Sequence, residues 1–186
     1  MPKTKADVRR RAAKVSLLLM DVDGVLTDGS ISLLSEGGPE GPGQAREIKT
    51  FNSLDGAGLR LVELAGIRTG IITGRESAAV TARARELKLD FVVQDAFRKL
   101  PAYEKILSKS GLSDQQVCYV GDDITDLPVM ARVGLAVAVS NAHPETKKRA
   151  HYVTRLQGGQ GAVREVIDLI LRAQGHYQKL LRQFRG

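Results

Sequence analysis

The chain has 186 residues, of which 42% are apolar and 26% charged, with a formal net charge of +7. That composition suits one ordinary domain with a single core and argues against a disordered chain. Cys118 is the one cysteine, which excludes an internal disulfide. The longest apolar run near the N-terminus, Leu17 to Met20, is far too short to cross a bilayer.

The charge belongs to the ends. Residues 1–14 and 172–186 hold ten of the 28 Lys and Arg and one of the 21 acids, leaving the residues between them at about −2. Residues 1–14 form a basic extension with no apolar stretch followed by a small-residue cleavage site, so a cytoplasmic location is expected. Both tails are expected to be solvated. The basic ends show no aromatic interleaving of the kind a single-strand binder would use for stacking, which argues against nucleic acid as a partner.

Short apolar runs then alternate with helical patterns. Val15–Met20 reads as a strand. Residues 54–65 place Leu54, Leu59, Leu61, Val62 and Leu64 on a helical stripe that Gly66 stops. Strands are expected at Arg68–Ile72, Phe91–Val93, Val117–Val120 and Leu135–Val139, with helices at Glu76–Leu87, 101–109, Leu127–Val133 and Ala162–Ala173. This alternation predicts an α/β fold, a doubly wound parallel sheet with helices on both faces. Residues 27–51 interrupt it. Ser30–Leu34, a glycine-rich turn over Glu36–Gln44 and Arg46–Phe51 predict a small β-hairpin insertion. The domain proper is read as 15–173, and 174–186 as a C-terminal tail.

Ligands of such sheets sit beyond the carboxyl ends of the strands. The first strand is followed by Asp21, Asp23, Gly24, Thr27 and Asp28, the second by Thr73, Gly74 and Arg75. Lys99 follows the third strand, and Gly121, Asp122, Asp123 and Asp126 follow the fourth. Four strand ends thus deliver carboxylates, a hydroxyl and an ammonium to one rim. Crowded carboxylates repel one another and call for a cation. Oxygen donors without His or Cys select a hard ion, for which Mg2+ is the natural candidate.

These four segments match, in order, type and spacing, the four motifs of the haloacid dehalogenase superfamily, which the chain resembles. A narrower likeness, to phosphatases of acidic sugar phosphates, rests on Asp21–Gly29, on Lys49, Phe51, Asp55 and Gly56, on Ile71–Arg75, Gly121–Met130 and His143–Pro144, and on Tyr152–Arg155 and Gly158–Glu165. It covers about residues 15–175. The resemblance implies a capless Rossmann-like fold. It makes Asp21 the nucleophile and a metal ligand. Asp23 becomes the general acid–base, with its backbone carbonyl on the metal, and Asp122 a further metal ligand. Thr73 and Lys99 are assigned to the phosphoryl group, Asp123 and Asp126 to a supporting layer. Arg75, Lys49, Gly74 and Asp28 are the candidates for substrate binding, with Arg60 near them. Arg75 leads, because its fork suits a carboxylate.

Several residues keep a plainer reading. Asp28 could cap the hairpin, Asp126 could N-cap the helix at Leu127, and His143 could simply start a helix. Gly158, Gly159 and Gly161 could form a helix-entry loop.

Only 52 positions separate Asp21 from Thr73, too few for a cap domain. The resemblance implies a homotetramer in which hairpins pack together and a neighbour closes each site. The tail, too short to stay folded alone, would act as a lid through Lys179, Arg182 or Arg185. The implied substrate is an acidic eight-carbon ketose phosphate on the route to lipopolysaccharide. The alternatives are a nine-carbon 2-keto-3-deoxy sugar acid 9-phosphate and, in another class, a non-catalytic phosphatase-like interaction module.

Overall fold

Four consecutive apolar residues, Leu17–Met20, form strand β1, and every one of them is buried. In the computed structural model, which describes residues 4–35, 37 and 45–184, β1 lies mid-sheet between β4 (Arg68–Ile72) and β6 (Val117–Gly121). Unbroken apolar runs of this kind belong to strands covered on both faces. β5 (Phe91–Val93) flanks β4, while β7 (Leu135–Ala138) and β8 (Tyr152–Val153) extend the other side. The order is β5-β4-β1-β6-β7-β8, all parallel. Strand order therefore reverses between β1 and β6, and that switch point is where such sheets place their chemistry.

Helices cover both faces. α1 (Lys5–Ala12), α2 (Ser53–Leu64), α3 (Ala78–Glu86) and α7 (Ala162–Ala173) lie on one. α4 (Lys99–Ser110), α5 (Leu127–Met130) and α6 (Pro144–Arg149) lie on the other. α7 drives Val163, Val166, Ile167 and Ile170 into the core, as its periodicity requires. Its N-terminus has no local side-chain cap. Asp55 of α2 supplies one from a distance, accepting from Arg164 N at 2.7 Å. Burial pushes the Asp55 carboxyl up to about 6 despite these bonds.

β2 (Ser32–Ser35) and β3 (Ala45–Ile48) pair only with each other, antiparallel, with Leu33 opposite Glu47. The expected hairpin is thus present, while its turn lies outside the described residues apart from Gly37. Ile31, Leu33, Leu34 and Ile48 are all at least half exposed on it. Among the described residues it is the only insertion between β1 and α2, so the fold is capless.

Four expectations need correction. The N-terminal extension is not wholly a solvated tail, since residues 5–12 form α1 and bury Val8 and Ala12. Two apolar residues four apart are easily hidden in so basic a run. The tail carries α8 (His176–Gln183), whose Leu180 is buried and whose Tyr177 ring lies 3.6 Å from the Arg172 guanidinium. Packing on α7 supplies what the isolated segment lacks. The helix expected over 127–133 ends at Met130, where Arg132 N turns to Val129 O in a tighter turn. The helix expected at 101–109 begins at Lys99, and β8, two residues long, left no readable pattern.

Candidate active site

The chain turns sharply after β1. Leu26 N and Thr27 N both donate to Val22 O, at 2.9 and 3.0 Å, folding residues 22–27 into a tight loop beneath Asp21. Asp21 is buried; Oδ1 accepts from Val22 N at 2.7 Å and Oδ2 lies 2.6 Å from Lys99 Nζ. Gly24, at φ +85, leaves room for Asp122, because a Cβ there would stand 2.2 Å from Asp122 Oδ2. A glycine is required on both counts.

Lys99 opens α4 and is almost fully buried between two carboxylates, Asp21 and Asp126, each at 2.6 Å. Burial alone would pull its ammonium down, yet Asp21 and Asp126 hold it above the ordinary lysine value. Asp126 is also fully buried. Its Oδ1 accepts from Lys99 and from the Tyr119 hydroxyl at 2.7 Å. Its Oδ2 accepts from Asp122 N and Asp123 N at 2.9 and 3.1 Å. Asp126 therefore orients Lys99 and shapes the loop after β6; it makes no side-chain cap to α5. Asp123 caps the following short 3-10 turn, accepting from Ile124 N at 2.8 Å.

Carboxylate oxygens of Asp21, Asp122 and Asp126 lie within 4.8 Å of one another. Asp122 Oδ1 is buried with no hydrogen-bond partner. Burial, and next the charges of Asp21 and Asp126, push the Asp122 carboxyl up to about 8. Burial likewise lifts Asp21 to about 6 against the pull of Lys99. An orphaned carboxylate oxygen among raised acids is what a hard divalent cation would satisfy. Each oxygen of Asp126 already accepts two hydrogen bonds, whereas each oxygen of Asp21 has one partner and keeps a lone pair. The side-chain donors that fit the ion are therefore Asp21 and Asp122.

Asp23 and Arg75 complete a cleft of about 340 Å³ lined by Asp21, Thr73, Gly74, Lys99, Asp122 and Asp123, with Gly29, Phe97 and Thr125. Eight of the expected site residues thus converge here. Lys49 does not line the cleft wall. Its buried ammonium pairs with the Asp23 carboxylate and lies 3.4 Å from Glu47. Asp28 points elsewhere, accepting from Ser30 N at 2.8 Å at the hairpin entrance. Arg60 pairs with Glu63 on the exposed face of α2, away from the cleft. His143 starts α6, accepting from Glu145 N at 3.3 Å. Cys118 is fully buried, and burial pushes its thiol up, so it is inert.

Sequence reasoning missed Glu47, Ser77, Tyr119, Phe97 and Thr125. Glu47 stands two residues before Lys49, and the two-residue period of a strand would have put both on one face. Phe97, 74% exposed at the cleft mouth, left no signal.

The glycine-rich segment is more than a helix entry. Gly158 N donates to Asn141 Oδ1 at 2.9 Å, and Gly159 N to Val25 O at 3.0 Å, so the loop presses on the back of the Asp21 loop. A Cβ on Gly158 would stand 1.7 Å from Gly24 O. Gly158→Ala is expected to displace the loop that carries Asp21 and Asp23 and to cut turnover by at least about tenfold. A steady-state assay checks this, and turnover within twofold of wild type would refute it.

Residues 82–167 match the haloacid dehalogenase-like hydrolase family. The chain is 47% identical over 168 residues to the 3-deoxy-D-manno-octulosonate 8-phosphate phosphatase of Yersinia pestis, covering 90% of this chain and 86% of that protein. It is 46% identical over 170 residues to the phosphatase of the same name from Escherichia coli K12, covering 91% and 86%. The crystal structure of the Moraxella catarrhalis phosphatase of that name, in complex with a magnesium ion, a phosphate ion and a KDO molecule, superposes with a TM-score of 0.90. It is 37% identical and covers 97% of this chain and 99% of that one.

Proposed function

The chain belongs to the 3-deoxy-D-manno-octulosonate 8-phosphate phosphatases of the haloacid dehalogenase-like hydrolases, and from that membership we infer that it hydrolyses this phosphate monoester to the free sugar acid and phosphate. The observation that carries the reading is the Asp21–Lys99–Asp126 chain beside the orphaned Asp122 oxygen, at the sheet's switch point.

The cofactor is Mg2+, which Asp21, Asp122 and the Asp23 carbonyl would hold. When bound, it balances negative charge on the transferring phosphoryl group. The remaining work belongs to the chain. An Asp21 oxygen attacks phosphorus, forming the aspartyl-phosphate as the bond to the sugar's O8 breaks. Asp23 gives its proton to the departing alkoxide. It then takes one from the water that attacks phosphorus, and Asp21 and phosphate are released. Lys99 faces the nucleophile and neutralises charge there, held by Asp126. The Thr73 hydroxyl and the open backbone at Gly74 receive the phosphoryl oxygens, and Arg75 takes the sugar's carboxylate.

Purified protein is expected to hydrolyse the eight-carbon phosphate with kcat/KM at least about tenfold above the nine-carbon acid phosphate. Chelation of magnesium should abolish turnover. Preference for the nine-carbon substrate would move the assignment to that branch. Absence of any magnesium-dependent phosphatase activity would leave only the non-catalytic module.

A homotetramer assembled through the hairpin is part of this reading. Two strands that pair only with each other, with Ile31 59% and Leu33 63% exposed, are marginal in water until another surface covers them. Sedimentation is expected to give a tetramer, and a fully active monomer would overturn the assembly. The tail leaves the end of the sheet opposite the site. Gln174 at its root donates to Ala12 O and Val15 O just before β1 begins. A lid formed by it would close a neighbour's cleft; of its three basic candidates, Arg185 lies outside the described residues. The reading also places the enzyme in the cytoplasm, in the supply of a lipopolysaccharide precursor. The single buried thiol suits a reducing compartment.

A further inference from the structure

We propose that Glu47 of the hairpin is a positioning residue that holds Arg75 in place for the substrate's carboxylate. The proposal rests on the phosphatase reading for the identity of that carboxylate. Glu47 of β3 and Lys49, just beyond the strand, approach each other and the cleft residues Arg75 and Asp23. Glu47 Oε1 accepts from an Arg75 terminal nitrogen at 2.7 Å and lies 3.4 Å from Lys49 Nζ. Its Oε2 accepts from the Ser77 hydroxyl at 2.5 Å. Ser77 is itself buried and N-caps α3, accepting from Val80 N at 3.4 Å. One carboxylate thus ties the hairpin to the loop after β4 and to the start of the next helix.

Arg75 needs such an anchor. Its side chain is 44% exposed and its Nε stands 3.9 Å from Asp23 Oδ2, too far for a hydrogen bond. The bond to Glu47 is the short contact that sets its direction. A guanidinium carries five N–H donors, so one terminal nitrogen on Glu47 leaves others for a ligand. Fixing a long, rotamer-rich side chain before the ligand arrives removes an ordering cost that would otherwise weaken binding. Glu47 touches none of the reacting groups; it acts through Arg75.

The test is a double-mutant cycle read by steady-state kinetics on 3-deoxy-D-manno-octulosonate 8-phosphate. Glu47→Ala is expected to raise KM on the order of tenfold while kcat moves by less than about threefold. Glu47→Gln, which keeps an acceptor for Arg75, should recover part of that loss. In an Arg75→Ala background, Glu47→Ala should add nothing further to KM. Additive effects on KM would overturn the proposal, as would equal losses in kcat and kcat/KM at constant KM. If the wild-type enzyme turned over p-nitrophenyl phosphate but no acidic sugar phosphate, the substrate reading would fall by itself. Hydrogen exchange would then still decide the anchoring role. Glu47→Ala should speed exchange at Val80 N, whose acceptor Ser77 it releases, and unchanged exchange there would overturn it.

Discussion

Asp21→Asn is expected to reduce turnover below about 1% of wild type while leaving the fold intact. An amide cannot form the acyl-phosphate, so the two-step route closes altogether. The fold should survive because Asn keeps an acceptor for Val22 N, the bond now made at 2.7 Å by Asp21 Oδ1. The substitution also removes a buried negative charge whose carboxyl burial already pushes up to about 6. Folded stability should therefore hold or rise slightly, as judged by thermal unfolding. Activity is read on the purified variant by phosphate release, with mass spectrometry to exclude deamidation back to aspartate. Residual turnover well above that level would remove Asp21 from the nucleophile's role.

Lys99→Met is expected to damage both activity and stability, and this sets it apart from Asp21→Asn. Methionine has about the right length, so packing is roughly kept while the charge is lost. Asp21 and Asp126 each lie 2.6 Å from the ammonium, and Asp126 is fully enclosed. Removing one partner from a buried ion cluster typically costs about 3–5 kcal/mol, because the charge left behind has no compensation. For a chain of this size each kcal/mol corresponds to roughly 2–4 °C in Tm, so a fall on the order of 10 °C is expected without metal. Magnesium should restore part of the loss, since any ligand specific to the folded state stabilises it. Turnover should fall by about 10²–10³, the usual cost of losing one preorganised charge partner at a reacting centre. A Tm unchanged in chelator would show that the cluster is not held by Lys99. Lys99→Arg is not a conservative control, because a planar fork cannot replace a compact ammonium between two carboxylates.

Several features were legible in the sequence because they depend on short-range order. The patterns at 15–20, 68–72, 91–93 and 117–120 read as strands from their flanking residues and spacing, and each was found within two residues of its expected bounds. Parallel connectivity then dictated where carboxylates would gather. Asp21, Asp23, Thr73, Arg75, Lys99 and Asp122 could be named from residue order, since each follows a strand end. The 52-residue gap between Asp21 and Thr73 likewise left no room for a cap.

What the sequence could not carry were relations set by through-space approach. Nothing local says that Asp126 would spend both oxygens on Lys99, Tyr119 and two backbone amides, which is why its reading stayed divided between a supporting role and a helix cap. Glu47 meets Arg75 and Ser77 across 28 and 30 positions, and Asp55 caps a helix 109 positions away. The two terminal segments looked unstructured because their helices are stable only as packed faces. Val8, Ala12 and Leu180 find cover on α7, and no count of charges reveals that cover. The residue order determined the strands, their direction and hence which carboxylates gather at the sheet's switch point. The tertiary structure alone decided which oxygens are left without a partner, because hydrogen-bond satisfaction depends on every group that reaches a site, however distant in the chain.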